Sequence, residues 1–200
     1  MQGTFKYAGF GAMMSIPDLI RRLTTDDNPL DADAIMASAL TASVPGWSLG
    51  YFGSSKTWGG RATADIQPSD DDHICVVVVE LPIRALDRLS IVEGVYTGRY
   101  RFDNVYISEV DEEVLVTRLR RKDREEEPGK SSVKYVARMI KGALANNVPR
   151  DYIDDVIIGR AGFDHTDLEK IFHEEMYSEE VAEAGDVMRE WASAHLHVPA

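Results

Sequence analysis

The stretch His73-Ile74-Cys75-Val76-Val77-Val78-Val79-Glu80-Leu81 decides the fold. Its six central residues are all apolar, and four of them are valine. A continuous run of β-branched residues is typical of a strand that is buried on both faces. Such a strand lies in the centre of a sheet or in a small closed barrel, and we expect it to be the core of this protein.

Further strand patterns lie on both sides of the valine run. They cover residues 4–10, 47–52 and 61–66, and a predicted hairpin has arms at 99–110 and 114–120. Asp70, Asp71 and Asp72 lack the ligand spacing of a calcium loop, so we interpret them as a solvated hairpin tip before the valine run. Helical patterns cover residues 17–23, 31–42, 83–89, 131–146, 149–159 and two parts of the tail 164–200.

Length and charge narrow the classes of function. Two hundred residues with 44% hydrophobic content suffice for one core. A net charge of −12 and a pI near 4.8 disfavour nucleic acid and anionic membranes as partners, because both would repel the chain. The single cysteine, Cys75, cannot form an intrachain disulfide, and no apolar segment is long enough to span a bilayer. We therefore expect a cytoplasmic protein with neither nucleic-acid nor membrane partners.

A basic cluster and the histidines of the tail are candidates for a nucleic-acid surface and a metal site, and neither interpretation is supported. The basic residues of 118–124 have no interleaved aromatics and are followed by three glutamates, which indicates an exposed connection. Four of the five histidines lie in the tail, but only His195 and His197 are close in sequence. A metal site needs three convergent ligands, so the sequence predicts no metal site.

The first candidate functional residue is Glu93, which lies directly after an apolar helical pattern and before Gly94. Glycine supplies turn conformations, so the side chain of Glu93 can point into a cavity between a helix and the next strand. The alternative interpretation is a surface loop glutamate, because Glu is rarely buried unless it is paired. We expect a desolvated Glu93 with a raised pKa, suited to proton transfer.

The second candidate is the loop Gly9-Phe10-Gly11-Ala12-Met13-Met14-Ser15. Its small residues let a ligand approach backbone N–H groups, which can bind a carboxylate or an oxyanion. A dinucleotide fingerprint is not satisfied, because the third glycine position holds Met14.

Three ordered motifs together resemble the gamma-glutamylcyclotransferases. They are residues 7–13, which correspond to the family's Tyr-Phe-Ala-Tyr-Gly-Ser-Asn loop, the Trp-Gly-Gly-x-Ala-Thr segment at 57–63, and Leu-Asp, Glu-Gly-Val and Gly-x-Tyr within 86–100. The resemblance covers about residues 4–160. It implies an α+β fold, a small mixed β-barrel with surrounding helices, followed by a C-terminal helical extension.

The resemblance also implies a reaction and a set of site residues. In that reaction the α-amine of a γ-glutamyl amide or dipeptide attacks its own γ-carbonyl, which yields 5-oxoproline and a free amine or amino acid. Glu93 corresponds to the general acid/base, and no metal, nucleotide or redox cofactor is implied. The implied substrate-binding residues are Tyr7, Ala8, Gly9, Phe10, Gly11, Ala12, Met13, Tyr100 and Tyr135.

Two departures from the family pattern leave an alternative open. Ala12 and Met13 stand where the family has Ser-Asn, and an extension, residues 164–200, follows a domain of residues 1–163. The loss of polar side chains leaves a non-catalytic small-molecule-binding or protein-interaction module as the alternative function. Val181, Val187, Met188 and Trp191 in the extension form an apolar pattern that could serve a homodimer.

Overall fold

A computed structural model describes residues 3–173 and 177–195. The β-strands are β1 (Thr4–Gly9), β2 (Leu40–Ser55), β3 (Arg61–Pro82), β4 (Tyr100–Ile107) and β5 (Glu112–Leu119). The α-helices are α1 (Ile16–Leu23), α2 (Ala32–Ala37), α3 (Leu86–Val92), α4 (Val133–Ala145), α5 (Arg150–Tyr152), α6 (His165–Ile171) and α7 (Ala182–His195). Helix α5 continues as a π-helical segment, Ile153–Ile158.

The five strands form one mixed, curled half-barrel in the order β2-β3-β1-β5-β4. The valine run in β3 pairs with β2 on one side and with β1 on the other, both antiparallel. Every residue from Ile74 to Val79 is at most 3% exposed, including Cys75. The predicted mixed barrel with surrounding helices is confirmed. The valine run is a central strand because other strands pair with both its edges, and it is buried because both its faces are covered.

Buried polar contacts hold the curled sheet. Asp65 in the first half of β3 accepts a hydrogen bond from the Leu119 N–H of β5, at 3.1 Å. Arg124 forms an ion pair with the same carboxylate at 2.9 Å. Burial raises the pKa of Asp65 despite these partners. The prediction of an exposed connection over 118–127 is thus wrong in part, because Arg124 neutralises a carboxylate within the fold.

Two predicted boundaries around β2 and β3 are also wrong. Residues 40–42, expected at the end of a helix, belong to β2, because Leu40 pairs with Val78 of the valine run. The acidic triplet is not a hairpin tip, since β3 runs continuously through it. Between Pro45 and Trp47 the partner residue passes from His73 to Pro68, so the triplet lies in an irregularity of the ladder. Asp72 forms an ion pair there with Arg160 at 2.7 Å.

The C-terminal extension packs against the rest of the chain. Val187 and Met188 of α7 are 6% and 0% exposed and belong to the same hydrophobic core as the strands, while Val181 and Trp191 are partly buried against it. Helix α7 contacts α4. The apolar face that the sequence suggested for a homodimer is therefore used within the chain, because it covers α4. The homodimer remains a prediction, but this apolar face of α7 is not available to form its interface.

Within residues 3–173 and 177–195, no helix is long and apolar enough to cross a membrane.

Candidate active site

A cavity of about 330 Å³ lies where β1 ends, beside the C-terminus of α3 and the start of β4. Its size is within the range of small-molecule sites. Eight of the ten predicted site residues line it: Glu93, Tyr7, Phe10, Gly11, Ala12, Met13, Tyr100 and Tyr135. Ala8 and Gly9 lie on β1 outside this lining. The structure thus brings together residues that are up to 128 positions apart in sequence, from Tyr7 to Tyr135.

Local chain geometry places Glu93 at the cavity. It is the C-cap of α3, and its N–H donates to the Leu89 carbonyl at 2.9 Å. Gly94 follows with φ +73°, and a Cβ there would lie 3.2 Å from the Tyr100 ring. Because only glycine readily adopts this conformation, the Glu-Gly pair ends the helix and turns the carboxylate into the cavity.

The electrostatic surroundings of Glu93 suit proton transfer. Burial raises the pKa of Glu93 from its ordinary 4.5 to about 7, while the Tyr7 hydroxyl, the charge of Arg22 and the Thr117 hydroxyl each act to lower it. Desolvation outweighs these three because it penalises the charged form directly. A carboxyl with a pKa near 7 holds and releases a proton with nearly equal ease at neutral pH, which is what an acid/base group requires.

Tyr7 remains protonated beside this carboxylate. It is 2% exposed, and burial together with the nearby Glu93 charge raises its pKa well above the ordinary value. Its hydroxyl is therefore a hydrogen-bond donor toward Glu93 at neutral pH. Thr117 of β5 also faces the cavity, and its buried Oγ1 has no hydrogen-bond partner of good geometry within the described residues. This hydroxyl acts on the pKa of Glu93 without a well-formed hydrogen bond, so it is also available to a ligand atom.

The loop after β1 approaches α4 and Tyr135 closely. A Cβ on Gly9 would lie 2.7 Å from the Met13 carbonyl oxygen, so only glycine fits inside this turn. A Cβ on Gly11 would lie 3.1 Å from the Tyr135 hydroxyl. Ala12 and Met13 reach the cavity without contributing polar side-chain atoms. Backbone groups are therefore the polar groups that the loop itself can offer to a ligand.

Two further tyrosines, Tyr100 and Tyr135, line the cavity beside the loop and Gly94. The Tyr135 hydroxyl accepts a hydrogen bond from the Ala64 N–H at 3.1 Å, and burial raises its pKa. The Tyr100 hydroxyl lies 3.5 Å from Thr63 Oγ1, and burial raises its pKa as well. Both phenols are thus neutral at physiological pH and present O–H groups rather than charges.

Sequence reasoning missed several cavity residues. Arg22 of α1 and Thr117 of β5 line the cavity, and Trp58 and Thr63 were noted only as part of a motif. Nothing local marks a threonine within a strand or an arginine within an amphipathic helix as functional. Their positions follow from the curling of the sheet and the packing of α1, which a linear pattern does not reveal.

The structure presents no group of three or more metal-ligating side chains within the residues that it describes. His195 stacks on Trp191, with ring centroids 5.1 Å apart, and His197 lies outside the described residues.

We expect Thr117→Val to move the catalytic pH profile. The change removes a hydroxyl that lowers the pKa of Glu93, so the limb of kcat/KM near pH 7 should shift to higher pH. The fold should remain intact, because valine has nearly the shape of threonine and the buried Thr117 hydroxyl makes no hydrogen bond of good geometry that the change would remove. The measurement is kcat/KM from pH 5 to 9.

Thr117→Ser is the matched control, since it keeps the hydroxyl and should keep the parent profile. A valine variant with the parent profile would show that Thr117 does not act on Glu93.

We expect Gly11→Val to abolish ligand binding. The new side chain would press on the Tyr135 hydroxyl, 3.1 Å from the position of its Cβ, and would fill space in the cavity. A loop substitution outside the core perturbs stability modestly, so the thermal midpoint should stay within several degrees. Titration calorimetry with a γ-glutamyl ligand tests this, and unchanged affinity would remove the loop from the site.

Comparisons with known proteins agree with this arrangement. Residues 73–156, which include the second half of β3, α3 and Glu93, match the model of the AIG2-like family. No curated protein matches the chain in sequence at a significant level.

Solved structures match nearly the whole chain. One titled gamma-glutamyl cyclotransferase is 20% identical, with a TM-score of 0.65 over 94% of this chain and 99% of its own. An uncharacterized protein from Homo sapiens is also 20% identical, with a TM-score of 0.62 over 93% and 98%. YkqA from Bacillus subtilis is 18% identical, with a TM-score of 0.54 over 72% and 49%.

The structural match extends into the C-terminal extension, residues 164–200. A match over 94% of the chain leaves only about 12 residues unmatched, so most of the extension 164–200 belongs to the shared fold. The shared fold thus extends beyond residue 160, where the sequence resemblance was expected to end, and the domain boundary at residue 163 stays a prediction. The match of residues 73–156 to the AIG2-like family model and the shared fold with the solved gamma-glutamyl cyclotransferase confirm the family resemblance drawn from the sequence.

Proposed function

We propose that this protein is a γ-glutamylcyclotransferase that converts a γ-glutamyl amide or dipeptide to 5-oxoproline and releases the attached amine or amino acid. The observation that carries the proposal is Glu93, the one carboxyl among the described residues that line the cavity, whose pKa burial raises to about 7. The neighbouring hydroxyls and the glycine loop support it, since they offer the donors that the reaction needs.

The reaction asks for little beyond positioning and proton transfer. Glu93 takes a proton from the α-ammonium of the substrate, and the resulting amine attacks the γ-carbonyl carbon to close a five-membered ring. The bond from that carbon to the leaving nitrogen then breaks as protonated Glu93 gives its proton to this nitrogen. The ring nitrogen, which still carries one proton too many after the attack, loses it to the Glu93 carboxylate, and from there the proton passes to the departing amine or to water. Because both reacting groups belong to one molecule, holding them in the folded conformation supplies much of the acceleration.

The remaining polar groups of the cavity have supporting roles in the proposal. The Tyr7 hydroxyl orients the Glu93 carboxylate. Backbone groups of residues 10–13, with Tyr100 and Tyr135 beside them, hold the α-carboxylate or the oxyanion that develops on the γ-carbonyl oxygen. No step in this scheme requires a redox or nucleotide cofactor.

Incubation with γ-glutamyl-alanine, glutathione and γ-glutamyl-lysine tests the proposal, with 5-oxoproline as the product to be measured. We expect release from at least one of the three. If none is converted although one binds, the site is a binding module on the same fold, and Ala12 and Met13 then mark the loss of catalytic side chains.

A further inference from the structure

A second cavity, of about 340 Å³, lies beside the Glu93 cavity and is lined by three cations. They come from three different elements: Arg61 begins β3, Lys134 lies in the first turn of α4, and Lys170 lies in α6. We call it the basic cavity. Trp58 lines both cavities, so the two are neighbours, but Glu93 does not reach the basic cavity. It is therefore distinct from the place where the proposed proton transfer occurs.

Hydrogen bonds and an ion pair hold the three elements together at the basic cavity. The Ala62 N–H, which follows Arg61, donates to the Lys130 carbonyl at 3.0 Å. The Ser131 hydroxyl donates to the Ala62 carbonyl at 2.9 Å, so the start of β3 is fixed beside the start of α4. The ammonium group of Lys130 pairs with Asp167 of α6 at 2.6 Å, which fixes α6 at the same place. The fold itself thus brings the three cations together.

Acidic side chains do not balance these cations within the part of the chain that the structure describes. Asp167 is the one acid among the described residues that line the basic cavity, and it is 3% exposed. Its carboxylate is already paired with Lys130, and Lys170 Nζ lies 4.0 Å from it. Arg61 and Lys134 have no carboxylate within 4 Å among residues 3–173 and 177–195. The basic cavity therefore carries an excess of positive charge.

The convergence of the cations is the signal for a ligand. Single arginines without an ion pair among the described residues, such as Arg88 and Arg138, occur elsewhere in the chain, and one such residue carries no inference. Three cations from three elements in one small cavity repel one another, and an anion in the cavity turns this repulsion into attraction. The protein has 34 acidic and 22 basic residues, so this local excess opposes the charge of the whole chain.

We propose that the basic cavity binds a phosphate group, independently of the function proposed above. A phosphate group carries roughly two negative charges at neutral pH and offers several acceptor oxygens, so one guanidinium and two ammonium groups can bind it together. A single carboxylate has one charge and two oxygens and matches three cations less well. Trp58 forms an aromatic wall beside the cations, which suits an organic group attached to the phosphate.

Calorimetric titration with inorganic phosphate tests the proposal, at low ionic strength because salt screens exposed charges. The parent should bind phosphate and should show a higher thermal midpoint in its presence. Arg61→Gln and Lys170→Gln should each weaken the affinity by about tenfold, the loss expected for one charge-assisted hydrogen bond. Neither side chain makes a hydrogen bond within the described residues, so both variants should fold as the parent does.

Two control variants remove the same charge from other places. Arg121 is exposed and lies outside both cavities, whereas Arg22 lines the Glu93 cavity alone. Arg121→Gln and Arg22→Gln should both keep the affinity of the parent for phosphate. Equal weakening in all four variants would show attraction to the overall charge, and weakening in Arg22→Gln alone would move the phosphate to the Glu93 cavity. Either result would overturn the proposal.

Phenyl phosphate distinguishes the two sources of the phosphate group. Tighter binding of this ester than of inorganic phosphate, weakened in Arg61→Gln, would assign the basic cavity to a phosphorylated small molecule whose organic part contacts Trp58. Equal affinities, weakened alike in Arg61→Gln, would assign it to free phosphate. The proposal is wrong if the parent binds neither compound at millimolar concentrations and neither raises its thermal midpoint. The release of 5-oxoproline has no bearing on this result.

Discussion

Replacement of Glu93 by Gln is expected to lower the turnover of γ-glutamyl substrates by about 10² to 10⁴, the loss typical of a positioned acid/base group. Glutamine keeps the size of the side chain and part of its hydrogen-bonding capacity but cannot exchange a proton. Substrate affinity should therefore survive. The measurement is 5-oxoproline release under saturating substrate, beside calorimetry of the same variant.

The stability of Glu93→Gln at two pH values shows whether the variant is correctly folded. Because the pKa of Glu93 is raised, the folded protein binds this proton more tightly than the unfolded chain does, so stability is lost as pH rises from about 4.5 through about 7. The difference between these two values corresponds to a loss of about 3 kcal/mol at most. Glu93→Gln removes that loss, so it should exceed the parent in unfolding free energy at pH 8 by more than at pH 5.

Urea unfolding at the two pH values gives the comparison. A variant that is destabilised at both would show that the fall in activity reports damage to the fold. Turnover within a few-fold of the parent, in a folded variant, would remove Glu93 from the reaction.

The second large effect concerns the extension. Deletion of residues 164–200 is expected to destroy the cooperative fold, contrary to the boundary at residue 163 that the sequence suggested. Ile171, Val187 and Met188 are each at most 6% exposed and lie in the common core. Burial of three such side chains contributes roughly 5–9 kcal/mol, which is comparable to the whole stability of a typical domain.

Point substitutions in the full-length chain show how much stability comes from the packing of α7, without the other effects of removing 37 residues. Met188→Ala should cost about 2–5 kcal/mol in unfolding free energy, because Met188 is fully buried. Glu183→Ala on the exposed side of the same helix should change it by less than about 0.5 kcal/mol. A truncated protein that unfolds cooperatively near the midpoint of the parent would restore residues 1–163 as an independent domain.

The parts of the fold that could be predicted are those whose conformation depends on the residue types within a short stretch of sequence. The apolar run 74–79 is stable only where both faces of its strand are buried, and Gly94, with φ +73°, ends α3 at Glu93. The loop at Gly9 and Gly11 was identifiable because two closely spaced glycines allow a tight approach of the backbone.

The parts that escaped prediction depend on partners distant in sequence. Residues 40–42 have helical propensity, yet the edge of the valine strand recruits them into β2. The apolar residues of α7 read as a surface for another copy, since the sequence does not reveal that α4 already needs them. Thr117 and Arg22 reach the cavity only through the curl of the sheet and the contact of α1 with α3.

The most direct test of the central claim is the identity and stoichiometry of the products that the parent forms from γ-glutamyl-L-alanine. Attack by the α-amine of the substrate gives 5-oxoproline and alanine in equal amounts, whereas attack by water gives glutamate and alanine. We expect 5-oxoproline and alanine at one to one, with both lost together in Glu93→Gln. Glutamate in place of 5-oxoproline, or no product from a parent that binds the substrate, would contradict the account.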